Sequence, residues 1–173
     1  MNTEEIIKDA AFKLFEEGRF ENITVQDILD EAHVGRTTFY KYFRDKYELM
    51  AAYYNARMAE TINAATGLSF RDYVKATYRQ LDNSRQYLNN VKDTVGQNSF
   101  WDVVSEYTYN YHKNRLLENK RVTDLTERDE LHLEFLVAGV IALVKNYLSK
   151  PIGEADIESY VAVVCSMFPE ELQ

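Results

Sequence analysis

Apolar side chains recur along this chain at intervals of three and four residues, the period of helices that each bury one side. Ile7, Ala10, Ala11, Leu14 and Phe15 predict a first helix over 6–15, ended by Glu16-Glu17-Gly18, with Gly18 suited to a left-handed residue after the helix. Thr24 opens a second helix as a cap for the backbone N–H of Asp27, and Val25, Ile28, Leu29 and Ala32 form its inner face. His33-Val34-Gly35 breaks the pattern, and a third short helix over 36–43 carries Phe39 and Phe43 inward. Asp45-Lys46-Tyr47-Glu48 reads as a capping box opening a long fourth helix that runs to about Ala65 before Gly67. Ser69 with Asp72 caps another helix. Phe100, Val104, Tyr107 and Tyr111 share one helical face, and Thr126 caps a helix whose centre, FLVAGVIALV (135–144), is apolar all round. Pro151 and Gly153 precede a last helix bearing Ile157, Tyr160, Val161, Val164, Met167 and Phe168. The Asn- and Gln-rich stretch 81–98 carries the weakest helical signal.

The pattern predicts an all-α chain of about nine helices. An N-terminal three-helix helix-turn-helix domain over 1–46 is followed by a helical bundle for sensing and dimerisation over 47–173. The 173 residues are 46% hydrophobic and 28% charged, ordinary globular material with enough length for a core. The sequence holds no uninterrupted apolar run of the roughly 18 residues that a membrane span needs, and acids at 4 and 5 do not suit a signal peptide. Cys165 is the single cysteine, so no intrachain disulfide forms, and the cytoplasm is the expected compartment. The net charge of −8 argues against general attraction to nucleic acid. From His33 to Lys46, however, Arg36, Lys41, Arg44 and Lys46 face one acid, Asp45, a local surplus of 4 − 1 = +3.

That surplus lies where a helix-turn-helix presents its recognition helix. Arg36, Thr37 and Thr38 occupy the first turn, where side chains reach base edges in the major groove; Arg pairs with guanine and Thr with a base or a thymine methyl. Tyr40, Lys41 and Tyr42 project on the outer side at the level of the sugar-phosphate backbone, with Lys46 adding charge near the next helix start. Thr24 and Gln26 stand at the start of the supporting helix, within reach of a phosphate or flanking base. The alternative is an ordinary helical hairpin with a solvated basic face. Exposed tyrosines on so short a polar helix favour the DNA reading.

The stretch LFEEGRFENITVQDILDEAHVGRTTFYKYFRDKYEL resembles the N-terminal domain of the tetracycline-repressor (TetR) family, a likeness covering about residues 5–50. Ala10, Phe15, Gly18 and Phe20, the Thr24-Val25 start, Thr38-Phe39-Tyr40, Tyr42-Phe43 and Lys46 carry it. The resemblance implies base or groove contacts from Gln26, Arg36, Thr37 and Thr38, and phosphate contacts from Thr24, Tyr40, Lys41, Tyr42 and Lys46. His33 stands where the family usually has Gly, at small expected cost because His tolerates positive φ better than most residues. The His-Val turn and R-T-T-F-Y resemble the branch of regulators of dihydroxyacetone kinase genes, with a Firmicute-type C-terminal domain.

One recognition helix reads few base pairs, so a homodimer on a palindromic or pseudo-palindromic double-stranded operator is expected. The resemblance assigns that dimer to the last two helices, through Phe135, Gly139, Val140, Leu143, Val161, Val164 and Phe168; the alternative is that they form only the core of one chain. It also implies a small-molecule effector among the aromatics of the middle helices, at Tyr78, Phe100, Trp101, Tyr107 and Tyr111, although such a stripe is more often the mark of a core. No cofactor, metal site, membrane contact or catalytic constellation is expected, since His33, His112, His132 and Cys165 lack ligand spacing. The overall expectation is a ligand-responsive repressor rather than an enzyme; a co-activator working through protein contacts on the same fold is the alternative.

Overall fold

The computed structural model describes residues 2–96 and 98–169, and within them the chain forms nine α-helices and one 3-10 turn with no strand. They are α1 (Thr3–Glu17), the 3-10 turn Phe20–Asn22, α2 (Val25–Ala32), α3 (Arg36–Tyr42), α4 (Lys46–Ala64), α5 (Phe70–Asn83), α6 (Arg85–Val91), α7 (Phe100–Lys120), α8 (Glu127–Leu148) and α9 (Ile157–Met167). Helix α6 falls inside the stretch where the sequence signal is weakest. Its Tyr87, Leu88 and Val91 are buried, so tertiary packing rather than local propensity holds it.

The chain divides into two compact units: residues up to Met58 with Ser84–Val103, and Ala59–Asn83 with the chain from Val104 onward. In the first, α1 packs on α2 and α6, burying Ile7, Ala10, Ala11 and Phe15 in the expected stripe, with Leu14 half-buried. The helix-turn-helix also shares this unit with the first half of α4, whose Leu49, Met50 and Tyr53 are buried. The rings of Tyr53 and Tyr87 lie 4.0 Å apart, and Tyr87 donates to the carbonyl of Met50 at 3.1 Å. Gly18 is extended (φ −142°) rather than left-handed, because the chain leaves α1 straight into the Phe20–Asn22 turn.

The second unit is built on the packing of α9 against α5 and α8. Helix α8 buries Leu133, Leu136, Val137, Ile141, Val144, Tyr147 and Leu148, yet Leu131 and Phe135 are 60% and 69% exposed. This helix is long and apolar enough to cross a membrane by length and composition (mean hydropathy 1.5), although no unbroken apolar run of that length stands in its sequence. Its acidic first turn and its buried inner face are those of a core helix with one side uncovered. Gly139 has a specific place here: a Cβ added to it would stand 2.7 Å from the Cε of Met167, so α8 and α9 approach closely at that point.

Candidate nucleic-acid interface

The supporting helix α2 is eight residues long and depends on its ends. Thr24 accepts from the Asp27 backbone N–H at 3.2 Å, while the Asp27 carboxylate accepts from the Thr24 N–H and hydroxyl, both at 2.7 Å. These bonds hold the Asp27 carboxyl below its ordinary pKa. At the other end His33 takes the left-handed conformation, φ 53° and ψ 41°, and the Val34 N–H closes on the carbonyl of Leu29. The imidazole thus sits where glycine is preferred, as its place in the turn implies.

From that turn α3 emerges with Phe39 and Phe43 buried and ring-packed at 6.0 Å, which fixes the opposite face outward. Arg36 and Thr37 are exposed, Thr38 is half-buried, and Tyr40 and Tyr42 are 50% and 37% exposed. Lys41 is exposed, with its ammonium 5.5 Å from the Tyr42 ring centroid. A chain of side-chain hydrogen bonds ties the two helices: Arg36 Nη2 donates to Gln26 Oε1 at 3.3 Å, and Gln26 Nε2 donates to Asp30 Oδ1 at 2.8 Å. Gln26 and Arg36, each expected at a base or groove, are therefore held together across the two helices. Asp30, which carried no sequence signal, completes the arrangement from one helical turn after Gln26.

Lys46, expected at a phosphate, makes contacts inside the chain. Its Nζ donates to the carbonyls of Phe20 at 2.7 Å and Ile23 at 2.6 Å, and it lies 4.3 Å from the Phe20 ring centroid. Burial pushes its pKa down, against the pull of Glu21 and Asp27. With two of three ammonium protons committed to these carbonyls, the side chain pins the 3-10 turn to the start of α4. Asp45 caps α4 by accepting from the N–H groups of Tyr47 and Glu48, but Glu48 reaches the Arg44 N–H rather than closing the box on Asp45.

The residues expected to line an effector site do not converge on one cavity. Tyr78 is buried between Tyr147 and Tyr160, at ring distances of 4.9 and 5.4 Å. Phe100 is 1% exposed and packs against Tyr54, Tyr87 and Trp101 in the first unit. Trp101 donates its indole N–H to the Lys92 carbonyl at 2.8 Å. Tyr107 is half-buried, and burial raises its pKa to about 12. Of the five, Tyr111 alone lines the cavity described here, a recess of about 220 Å³ in the second unit that also takes in Tyr73 and Arg115. Among the described residues no group of three His, Cys, Asp or Glu converges as a metal site would. Cys165 is half-buried.

The expected dimer residues divide sharply. Val161, Val164 and Phe168 are 0%, 4% and 3% exposed, turned into the chain's own core, and Gly139 faces Met167 of the same chain. Helical geometry allows α9 one inner stripe, and these three residues occupy it. Val140 and Leu143 are half-buried, while Phe135 lies open beside Ala138 and Ala142.

The family model described as "Bacterial regulatory proteins, tetR family" matches residues 7–53, which span α1 to the first turns of α4. The chain is 36% identical over 61 residues to the HTH-type dhaKLM operon transcriptional activator DhaS of Lactococcus lactis subsp. lactis (strain IL1403), over 35% of this chain and 33% of that protein. This chain thus matches about a third of that relative's length. A solved TetR transcriptional regulator from Streptococcus agalactiae 2603V shares the fold with a TM-score of 0.67 at 20% identity, covering 95% of this chain and 92% of its own. The solved dihydroxyacetone kinase operon activator DhaS gives 0.59 at 19%, covering 95% and 93%.

Proposed function

We propose that this chain, whose residues 7–53 match the model of the tetR family of bacterial regulatory proteins, regulates transcription by holding a palindromic or pseudo-palindromic operator as a homodimer. The observation that carries this reading is the first turn of α3, where Arg36 and Thr37 stand exposed in a chain whose charge is otherwise acidic. Arg36 reads a base, Thr37 and Thr38 supplement it, and Thr24, Tyr40, Lys41 and Tyr42 meet sugar and phosphate. Two-fold symmetry supplies the second recognition helix, with half-sites about 34–36 Å apart or a multiple of it. The apolar strip Leu131, Phe135, Ala138 and Ala142, at i, i+4, i+7 and i+11 on α8, is the surface a second copy covers. Such a protein works in the cytoplasm, beside the chromosome, and answers to a small-molecule effector.

Selection of bound duplexes from a random pool, followed by gel shift on the enriched site, tests the reading. The expected result is a two-fold-symmetric motif, and failure to bind any duplex at low salt overturns it. The sign of regulation has two readings. Repression is the first. Activation is favoured by the role of the matched relative, an operon transcriptional activator. Transcription in vitro from a template carrying the selected site separates them, because the purified protein alone lowers or raises transcript yield.

A further inference from the structure

We propose that Asp30 is a specificity-determining residue of the DNA-reading face, a positioning group that acts through Gln26 to hold Arg36 for guanine. The inference rests on the reading of α3 as a recognition helix and deepens it, by assigning the base that its first turn selects.

Helix α2 carries the acids Asp27, Asp30 and Glu31, and two of them serve the fold. Asp27 closes the Thr24 cap, and Glu31 accepts from Lys13 of α1 at 2.7 Å. Asp30 is placed badly for stability. It is exposed in the last turn of α2, where the negative end of the helix disfavours an acid. It forms no ion pair among the described residues. Its carboxylate instead accepts from Gln26 Nε2 at 2.8 Å, across one helical turn, and Gln26 Oε1 accepts from Arg36 Nη2 at 3.3 Å.

A carboxylate only accepts and a guanidinium only donates, so an amide set between them has one orientation. The Gln26 oxygen faces Arg36 and its nitrogen faces Asp30. Without the carboxylate the amide turns freely and brings its own N–H groups against the guanidinium, donor against donor. Asp30 therefore orients the amide, and the amide orients the fork of Arg36.

The same bonds separate two bases. Gln26 takes one N–H of Arg36, which leaves others for the paired acceptors of guanine, O6 and N7. Adenine offers an acceptor beside a donor, the pattern that a free Gln amide matches with its own nitrogen and oxygen. Gln26 has both engaged inside the chain, which makes it a positioning residue as well. An acid beside a recognition helix also opposes the phosphates of any duplex. Asp30 thus lowers affinity for all sequences alike while sharpening the choice among them.

The test titrates the full chain by gel shift against the selected operator and its single-base variants. Arg36→Ala first marks the position that Arg36 reads, and guanine is the base expected there. Asp30→Ala is expected to lower the guanine preference at that position by about fivefold or more. Asp30→Asn removes the same charge but keeps an acceptor for Gln26, so it retains the preference. Any uniform change in affinity is common to both variants, and the difference between them isolates the hydrogen bond from the charge. In the Arg36→Ala background Asp30→Ala changes the preference no further, because its action passes through Arg36. Gln26→Leu breaks the same chain of bonds from its middle, and is expected to relax the Arg36 position and no second one; it carries the test if Asp30→Ala fails to fold. A base other than guanine at that position, a preference unchanged in Asp30→Ala, or equal losses in Asp30→Ala and Asp30→Asn overturns the inference. So does a second position relaxed by Gln26→Leu, which would make Gln26 a reader of its own base. In each of these outcomes the chain still binds its operator and the inference falls alone. If no duplex is bound by the unaltered chain, the recognition-helix reading falls first and takes the inference with it.

Discussion

Two basic residues ten positions apart, Arg36 and Lys46, carry the same formal charge and are given opposite work by their surroundings. Arg36 is exposed and braced by Gln26, with its guanidinium on the outer side of α3. Lys46 is held by two carbonyls and an aromatic face. Arg36→Ala is expected to weaken operator binding by roughly 1–3 kcal/mol and to relax preference at one base position, measured by gel-shift titration on the selected site and its single-base variants. Lys46→Ala leaves the Phe20 and Ile23 carbonyls without their donor and is expected to lower stability by roughly 1–3 kcal/mol, read as a lower urea midpoint. The slope of log binding constant against log salt stays as in the wild type. A fall of about one in that slope would return Lys46 to the phosphate backbone. Composition shows the charge of a lysine but not whether two carbonyls wait beside it, which is why the sequence pattern placed this residue on the DNA.

At the scale of the helices, the sequence was legible wherever the determinant is local. Caps are such determinants: Thr24 with Asp27, Ser69 with Asp72 and Thr126 with Asp129 each stand three residues apart and each forms. The buried stripe of α1 was legible for the same reason, since period alone decides which side of a helix is apolar. What was not legible depends on long-range packing. The aromatics Tyr78, Phe100 and Trp101 look alike in sequence, but only the folded chain shows that Tyr147 and Tyr160 enclose the first, and that a Lys92 carbonyl takes the indole of the third. Caps also set a pH dependence. Hydrogen bonding to Lys120 first, and to Thr126 second, lowers the Asp129 carboxyl from its ordinary 3.8 to about 2. A carboxyl whose pKa is depressed in the folded chain contributes its stability above the unfolded value and loses it as pH falls through the folded one. The folded protein is therefore expected to lose stability between pH 3.8 and about 2, and Asp129→Asn to flatten that part of the curve, in urea midpoints measured across the range. An unchanged curve in Asp129→Asn would assign the acid loss to other carboxyls such as Asp156 and Glu158, which are also held low.

At the scale of the molecule, the apolar core of α8 posed a choice between one chain's interior and the seam between two. The inner side is the chain's own interior, and the open side of the same helix is the one we propose as the seam. Leu133, Leu136, Val137, Ile141 and Val144 bury themselves within the chain, and the close approach that Gly139 permits is to Met167 of its own α9. The open side carries Leu131, Phe135, Ala138 and Ala142, with Val163 of α9 45% exposed. Water-facing apolar groups spaced along a whole helix are covered in a stable protein, and a helix face meeting its symmetry mate needs no second sequence to match it. A charge on that face should therefore separate subunits without disturbing the fold, whereas a charge on the inner face should do the reverse. Phe135→Glu is expected to sediment as a monomer with unaltered far-ultraviolet circular dichroism. It should also lose affinity for a two-half-site operator far more than for a single half-site. Val164→Glu places a carboxylate among buried side chains and is expected to lower the thermal midpoint sharply, because an unpaired charge is being taken out of water. If Phe135→Glu remains a dimer, the seam lies on another surface, and the open side of α8 awaits a different protein.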